Sequence, residues 1–339
     1  MEAGNQKPEV VVITGASAGV GRATAHEFAR HGARIGLIAR GQEQLQAAKK
    51  EVEDLGGEAL ILLTDVSKAD QVEAAAQQVE EHFGPIDIWV NAAMVTVFSY
   101  FWDMTPEEFQ RVTDVTYMGY VHGTMSALKR MRSRNRGTIV QVGSALAYRS
   151  IPLQSAYCGS KHAIVGFTDS IRSELMHEGS AIHLTAVHLP AVNTPQFEWA
   201  RNKLPNKPQP VPPIYQPEVP AEAIYWAAHA DRRELYVGYM TTVAIEGNKV
   251  APAYADEYLA NNGVQSQQTS IPANPQQPDN LFEPVSRDFG THGTFDDMAH
   301  DHSWQYELSK HRLSVGMAVA GLLIGAGAAM LGRNGSRKH

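Results

Sequence analysis

The chain has almost no cysteine and no excess of positive charge, and these shortages exclude several classes of protein. Cys158 is the single cysteine among 339 residues, so no internal disulfide can form. The formal net charge is -7 at pH 7, and no basic stripe crosses the main part of the chain, which argues against nucleic-acid binding. We also predict no metal site, because the His and Asp residues between 292 and 302 do not follow a zinc-ligand spacing.

The first residues lack the apolar stretch of a secretory signal. Residues 1–9 are polar, and the first apolar run begins at Val10. We therefore expect the folded domain to lie in the cytosol.

A glycine-rich turn follows that first apolar run. Residues 10–13 are a β-branched strand pattern, residues 14–21 read Thr-Gly-Ala-Ser-Ala-Gly-Val-Gly, and a helical pattern continues to Arg30. Glycines let the backbone approach a pyrophosphate, and the N-terminus of the next helix offers free amides and a positive dipole end. The turn alone is weak evidence, but a strand before it and a helix after it predict a nucleotide site.

Three polar residues near the middle of the chain suit proton transfer. Tyr157 and Lys161 are four residues apart, so they rise from one face of a helix. A neighbouring ammonium favours the phenolate and lowers the pKa of a tyrosine toward working pH. Ser144 closes a β-like run, where its hydroxyl could bond a substrate oxygen. The alternative is an ordinary helix surface.

Together the two motifs resemble the short-chain dehydrogenase/reductase family over roughly residues 8 to 240. The resemblance implies that Ser144, Tyr157 and Lys161 carry hydride-transfer chemistry. It implies that the cofactor phosphates and ribose lie on Thr14, Gly15, Ser17, Gly19, Val20 and Gly21. It further implies that Asp65 and Val66 reach the adenine ring and that Thr194 holds the nicotinamide amide. Asn91, which matches the first asparagine of the family's Asn-Asn-Ala-Gly, is implied to bind the cofactor, as are Tyr157 and Lys161.

Some positions depart from the family pattern. Ala92 and Met94 interrupt Asn-Asn-Ala-Gly, and Leu189 and Pro190 stand where Pro-Gly is expected. Thr116 stands where the family usually has an asparagine that supports a water chain behind the lysine. Because a threonine hydroxyl is shorter and has fewer donors, we expect the proton relay to be altered, slower or absent.

The end of the second strand bears on cofactor choice. An acidic residue there would accept bonds from a ribose 2′-hydroxyl and repel a 2′-phosphate. The chain instead has Arg40, a planar cation suited to phosphate. We predict NADP over NAD; the alternative is that Arg40 is a solvated loop residue and both cofactors bind.

The fold predicted for residues 1–258 is a doubly wound, Rossmann-type α/β domain. Its mostly parallel seven-stranded sheet would carry helices on both faces. The long helices around 106–133 and 155–178 are surfaces that the resembling family uses to pair subunits, which implies a homodimer or homotetramer.

Two apolar rims suggest a lipophilic substrate. The proline-rich residues 196–220 cannot form one long helix, and we predict a lid with an apolar wall. Apolar residues also follow Asn91, namely Met94, Val95, Val97, Phe98, Tyr100, Phe101 and Trp102. Exposed loop aromatics, or core and dimer contacts, are the alternatives.

The chain ends in two unlike segments. Residues 259–309 are rich in Asn, Gln, Ser and Pro, and we predict a flexible polar linker. Residues 310–339 hold an apolar run of about 20 residues flanked by basic residues, which predicts a C-terminal membrane anchor. The alternative is a tail helix that docks on the protein or lies on a membrane surface.

Two functions remain open from the sequence. The leading hypothesis is an NADP-dependent, membrane-anchored oxidoreductase that interconverts an alcohol and a carbonyl on a lipophilic molecule, with Tyr157 as the general acid/base. The other is a catalytically weak NADP(H)-binding redox sensor or scaffold at a membrane, which the changes at Ala92 and Thr116 favour.

Overall fold

The structure, a computed structural model, describes residues 7–311. Its strands, in chain order, are β1 (Val10–Thr14), β2 (Arg34–Ala39), β3 (Glu58–Leu63), β4 (Ile88–Asn91), β5 (Val97–Phe98), β6 (Gly137–Ser144), β7 (Ile182–Leu189), β8 (Ala191–Val192), β9 (Arg201–Asn202), β10 (Asn206–Pro208), β11 (Ile214–Tyr215), β12 (Glu234–Tyr236), β13 (Gln268–Pro272) and β14 (Ala299–His300).

The helices alternate with the longer strands. They are α1 (Gly19–Arg30), α2 (Gln42–Asp54), α3 (Ala69–Phe83), α4 (Pro106–Thr113), α5 (Gly119–Arg134), α6 (Ser155–His177), α7 (Gln196–Trp199), α8 (Glu218–His229), α9 (Tyr239–Val250), α10 (Pro252–Asn262) and α11 (Trp304–Lys310). A π-helical turn, Asp114–Met118, joins α4 to α5.

Seven strands form one parallel sheet in the order β12-β7-β6-β4-β1-β2-β3. Every neighbouring pair in it runs parallel. The strand order reverses direction at β1, where β2 lies on one side and β4 on the other. In open α/β sheets, ligands bind beyond the carboxyl ends of the strands at such a point. The predicted doubly wound fold with seven strands is thus confirmed.

The sheet is covered on both faces, which explains its apolar strands. All five residues of β1 are buried, as expected for a central parallel strand with helices on either side. One cluster of buried apolar side chains packs against α1, α2 and α8. A second packs against α3, α5 and α6. Burial on two sides fixes the sheet between two helical layers.

Residues 259–309 differ from the predicted flexible linker, because they pack onto the domain. β13 pairs antiparallel with β10, and β14 pairs with β11. Leu281 is fully buried in the second core cluster, and Tyr306 is buried in the first. The low apolar content of the segment concealed this packing, which rests on a few large side chains and on backbone pairing.

The predicted membrane anchor lies almost wholly outside the described residues, since its residues 312–339 are not among them. Within residues 7–311, no helix combines the length and the apolar composition that crossing a membrane requires. The anchor therefore stays a prediction.

We expect Leu281→Ala to lower the free energy of unfolding by about 2–5 kcal/mol, because it empties a buried apolar site. Ile271→Ala, in the same region but 59% exposed, should change it by less than about 0.5 kcal/mol. Urea unfolding of the two variants beside the unchanged protein measures both effects. Equal stabilities would contradict the packing of this segment.

Candidate active site

A cavity of about 740 Å³ opens along the carboxyl ends of β1, β4 and β6. This volume is in the range of small-molecule and cofactor sites. The predicted site residues that line it are Gly15, Ser17, Gly19, Val20, Gly21, Arg40, Asp65, Val66, Ser144, Tyr157, Lys161 and Thr194. The cavity thus brings the glycine-rich loop and the Ser, Tyr and Lys residues together.

The glycine loop approaches its surroundings too closely for side chains. Gly15 has a φ of 72°, and a Cβ at Gly21 would lie 2.2 Å from the Gly15 carbonyl oxygen. α1 begins within this loop, at Gly19, and its N-cap, Ala18, supplies no side-chain cap to the first amides. Such a loop leaves backbone amides for an anionic ligand at the positive end of a helix.

Thr14 and Asn91 do not line the cavity, although both were predicted to bind cofactor. The Thr14 hydroxyl accepts from the amides of Ala92 and Ala93 at 3.0 and 3.1 Å. The Asn91 side chain bonds to Gln141 at 2.9 Å and accepts from the indole of Trp89 at 2.8 Å. Both residues are buried beneath the site, where they join neighbouring strand ends.

Thr116 is likewise buried and does not contact Lys161. Its hydroxyl donates to the carbonyl of Val95 at 2.9 Å and accepts from the amide of Val95 at 3.1 Å. Its single donor proton and one of its two acceptor lone pairs therefore bond to the loop after β4. That loop carries Met94 and Val95, which line the cavity.

The Ser, Tyr and Lys side chains come from two elements. Ser144 ends β6 and its hydroxyl accepts from the amide of Leu146 at 3.1 Å. Tyr157 and Lys161 are one turn apart on α6. The Lys161 ammonium donates to the carbonyl of Val142 at 2.7 Å and lies 5.6 Å from the centre of the Tyr157 ring.

Burial dominates the protonation of this group. It raises the pKa of Tyr157 above that of a free phenol, and a hydrogen bond with Ser144 opposes the rise. It also lowers the pKa of Lys161 to about 7. The expected lowering of the tyrosine pKa by Lys161 is therefore not what the structure shows, because desolvation disfavours both charged forms.

Arg40 lies at the cavity but is held by backbone carbonyls. Its guanidinium donates to Phe282 at 2.7 Å and to Asn280 at 2.5 Å. Burial and the nearby Arg111 lower the pKa of Arg40. Arg111 in turn donates to the carboxylate of Asp65 at 2.7 Å. Two guanidinium groups, those of Arg40 and Arg111, therefore lie near the end of β2.

Residues 279–293, which we term the strap, cross the outer side of the cavity. Arg22 is fully buried and pairs with Glu51 at 2.7 Å and with Asp288 of the strap. The amide of Gly19 donates to the carbonyl of Gly290 at 3.2 Å. The strap therefore bonds to the glycine loop as well as to Arg40. Sequence patterns did not reveal it, because these contacts join residues more than 200 positions apart.

The far wall of the cavity is largely apolar. Phe197 and Trp199, from the predicted lid, line the cavity, and the lid itself stays a prediction. Of the second rim, Val97 and Phe98 are core residues, while Phe101 and Trp102 are exposed. A further part of the wall was not predicted, and it comes from residues of α9 and α10: Met240, Val243, Ala244, Tyr254, Tyr258 and Leu259.

Arranged in this way, the cavity is that of an oxidoreductase acting on CH–OH and C=O groups. Residues 9–204 match the model of the family described as short chain dehydrogenase, and the chain belongs to this family. Membership supports a nicotinamide dinucleotide as the cofactor.

Individual proteins agree with this assignment. The chain is 33% identical over 326 residues to a protein named "Uncharacterized oxidoreductase YxnA" of Bacillus subtilis (strain 168), covering 95% of this chain and 91% of that protein. It is 33% identical over 192 residues to the 3-dehydrosphinganine reductase of Danio rerio, covering 55% of this chain and 57% of that enzyme.

A solved structure shows the same fold. It is a short chain dehydrogenase from Mycobacterium paratuberculosis bound to NAD, with a TM-score of 0.59 and 24% sequence identity. The similarity covers 68% of this chain and 97% of that one.

We expect Thr116→Val to lower the free energy of unfolding by about 1–3 kcal/mol, because it removes the partner of two buried backbone groups of Val95. Thr116→Ser keeps the hydroxyl and should retain most of the stability. Thermal unfolding of both variants measures the difference. A valine variant as stable as the serine variant would contradict the role assigned to the hydroxyl.

Proposed function

We propose that the protein is an NADP-dependent oxidoreductase that interconverts an alcohol and a carbonyl on a lipophilic small molecule. The observation that carries the proposal is the single cavity in which Ser144, Tyr157 and Lys161 face a glycine-rich loop and an apolar wall. Neither the loop nor the wall alone would specify a reaction.

The residues fit a dinucleotide along the length of the cavity. The loop from Gly15 to Gly21 would take the pyrophosphate, Asp65 and Val66 the adenine, and Thr194 the nicotinamide amide. The cofactor, when bound, supplies or accepts the hydride. These assignments follow from the resemblance to the family, and all of these residues line the cavity.

Ser144 and Tyr157 act on the substrate oxygen. In the reductive direction their hydroxyls polarise the carbonyl, and Tyr157 gives its proton to the oxygen as the carbonyl carbon gains a hydride. In the oxidative direction Tyr157 takes the proton back. Lys161 holds the cofactor ribose, and its ammonium form would oppose the rise in the Tyr157 pKa that burial causes.

A lipophilic substrate is supported by the wall from α9 and α10. Aliphatic and aromatic groups of Met240, Val243 and Tyr258 would cover an apolar chain, while Ser144 and Tyr157 hold its one polar group. A long-chain amino ketone belongs in the first substrate panel, because a relative is named 3-dehydrosphinganine reductase. Membrane association through residues 310–339 and pairing of subunits through α4, α5 and α6 are part of the same proposal.

We expect Tyr157→Phe to lower kcat at least a hundredfold while cofactor binding is retained, since the variant loses a proton donor and keeps the ring. Tyr100→Phe, on a ring that stacks on Trp102, should keep normal turnover. NADPH oxidation against ketones, steroids, retinoids and long-chain amino ketones measures this. Tight cofactor binding with no turnover in the unchanged protein would instead favour a redox sensor or scaffold.

We expect Arg40→Met to weaken NADPH binding at least tenfold and NADH binding little, because a charge-assisted bond to the 2′-phosphate is lost. Arg34→Met, at the opposite end of β2, is the control. Titration of the two cofactors by nucleotide fluorescence gives the ratio of their Kd values. An equal loss for both cofactors would show that Arg40 serves the strap and not the phosphate.

A further inference from the structure

A second tyrosine lies behind Lys161, on the side away from the cavity opening. Tyr120, the second residue of α5, is fully buried. Its phenol oxygen is 3.0 Å from the Lys161 Nζ atom and 2.8 Å from the carbonyl oxygen of Val142. The same carbonyl accepts from Lys161 at 2.7 Å. The three groups therefore form a closed hydrogen-bonded triangle.

The chemistry of the triangle fixes the direction of each bond. A carbonyl oxygen only accepts, so the phenol proton of Tyr120 points at Val142. The phenol oxygen is then left to accept from the Lys161 ammonium. Burial raises the pKa of Tyr120 well above its usual value, so this phenol stays neutral and acts toward Lys161 as an acceptor.

The backbone around Tyr120 sets the position of its side chain. The π-helical turn Asp114–Met118 precedes α5 directly, and such a turn adds one residue and rotates the helix that follows. The carbonyl of Tyr120 accepts from the side chain of Asn91 at 3.5 Å. Thr116, in the same π-helical turn, bonds to Val95 and not to Lys161.

We propose that Tyr120 is a positioning residue that holds the Lys161 ammonium at the cavity. The proposal rests on the role of Lys161 in the proposed function. Lys161 has one further N–H beyond the two in the triangle, and Tyr120 and Val142 together direct that N–H away from themselves.

Other titratable groups surround Lys161. Tyr157 lies on the same helix and Tyr120 on α5, and burial raises the pKa of each phenol. On β7, burial, together with the charges of Lys161 and Arg172, lowers the pKa of His188 to about 4 against the opposing charge of Glu234. A cavity of about 10 Å³ that Lys161 borders is also lined by Asp169, Arg172 and Glu234. A titration near neutrality therefore reports on Lys161 rather than on the tyrosines or His188.

The test measures Lys161 directly in the full chain, without cofactor. Protein labelled with 13C-lysine is titrated by NMR, and the Lys161 Cε signal is the one lost in Lys161→Met. We expect the midpoint in Tyr120→Phe to fall by about one pH unit, tenfold in the equilibrium between ammonium and amine, because the ammonium loses an acceptor. Tyr117→Phe is the matched control, since the Tyr117 ring contacts Phe167 and lies in the preceding turn.

A second variant covers the case in which Tyr120→Phe does not fold. 3-Fluorotyrosine at position 120 keeps the ring and hydroxyl but makes the oxygen a weaker acceptor, so the midpoint should fall by less and in the same direction. A midpoint that is unchanged in the folded Tyr120 variants, or that falls equally in Tyr117→Phe, would overturn the proposal.

Turnover separates this proposal from the proposed function. If the protein is active, the activity of Tyr120→Phe should begin to decline with rising pH about one unit earlier than that of the unchanged protein, because the ammonium is lost earlier. If no substrate is turned over at all, the proposed function fails, and the NMR midpoint still decides the role of Tyr120.

Discussion

The site depends on one constraint, the parallel direction of the seven strands. Because every strand of the sheet points the same way, the residues that follow β1, β4 and β6 meet at one edge. The glycine loop, the Ala92–Ala93 turn and Ser144 are therefore neighbours although they are far apart in sequence. α6 carries Tyr157 close to Ser144 at the end of β6.

The structure also depends on the ion pairs of Arg22. Arg22 is buried on the first turn of α1, and a buried guanidinium is stable only if carboxylates are paired with it. Glu51 supplies one from α2, and Asp288 supplies the other from the strap. The helix that carries the glycine loop and the strap that covers it are therefore fastened by the same cation.

Local patterns predicted the fold and much of the cavity, and they failed where long-range contacts decide. The strand patterns and the glycine turn predicted the sheet, and the spacing of Tyr157 and Lys161 predicted that both lie on one helix. Thr14 and Asn91 are buried and do not line the cavity, which a motif match could not show because it carries no information on side-chain direction. The packing of residues 259–309 escaped notice, because Leu281 and Tyr306 are isolated apolar residues in a polar stretch. The sequence did not predict a role for Tyr120, because nothing in its local pattern indicates a contact with Lys161.

The family match ends at residue 204, whereas α9, α10 and the strap all follow it. Residues before that boundary hold the glycine loop and the Ser, Tyr and Lys side chains, and residues after it build most of the outer wall of the cavity. Under the proposed function, the reacting groups and a large part of the substrate wall would therefore lie in separate stretches of one chain. A change in the later stretch can alter which molecules enter while the reacting groups keep their places.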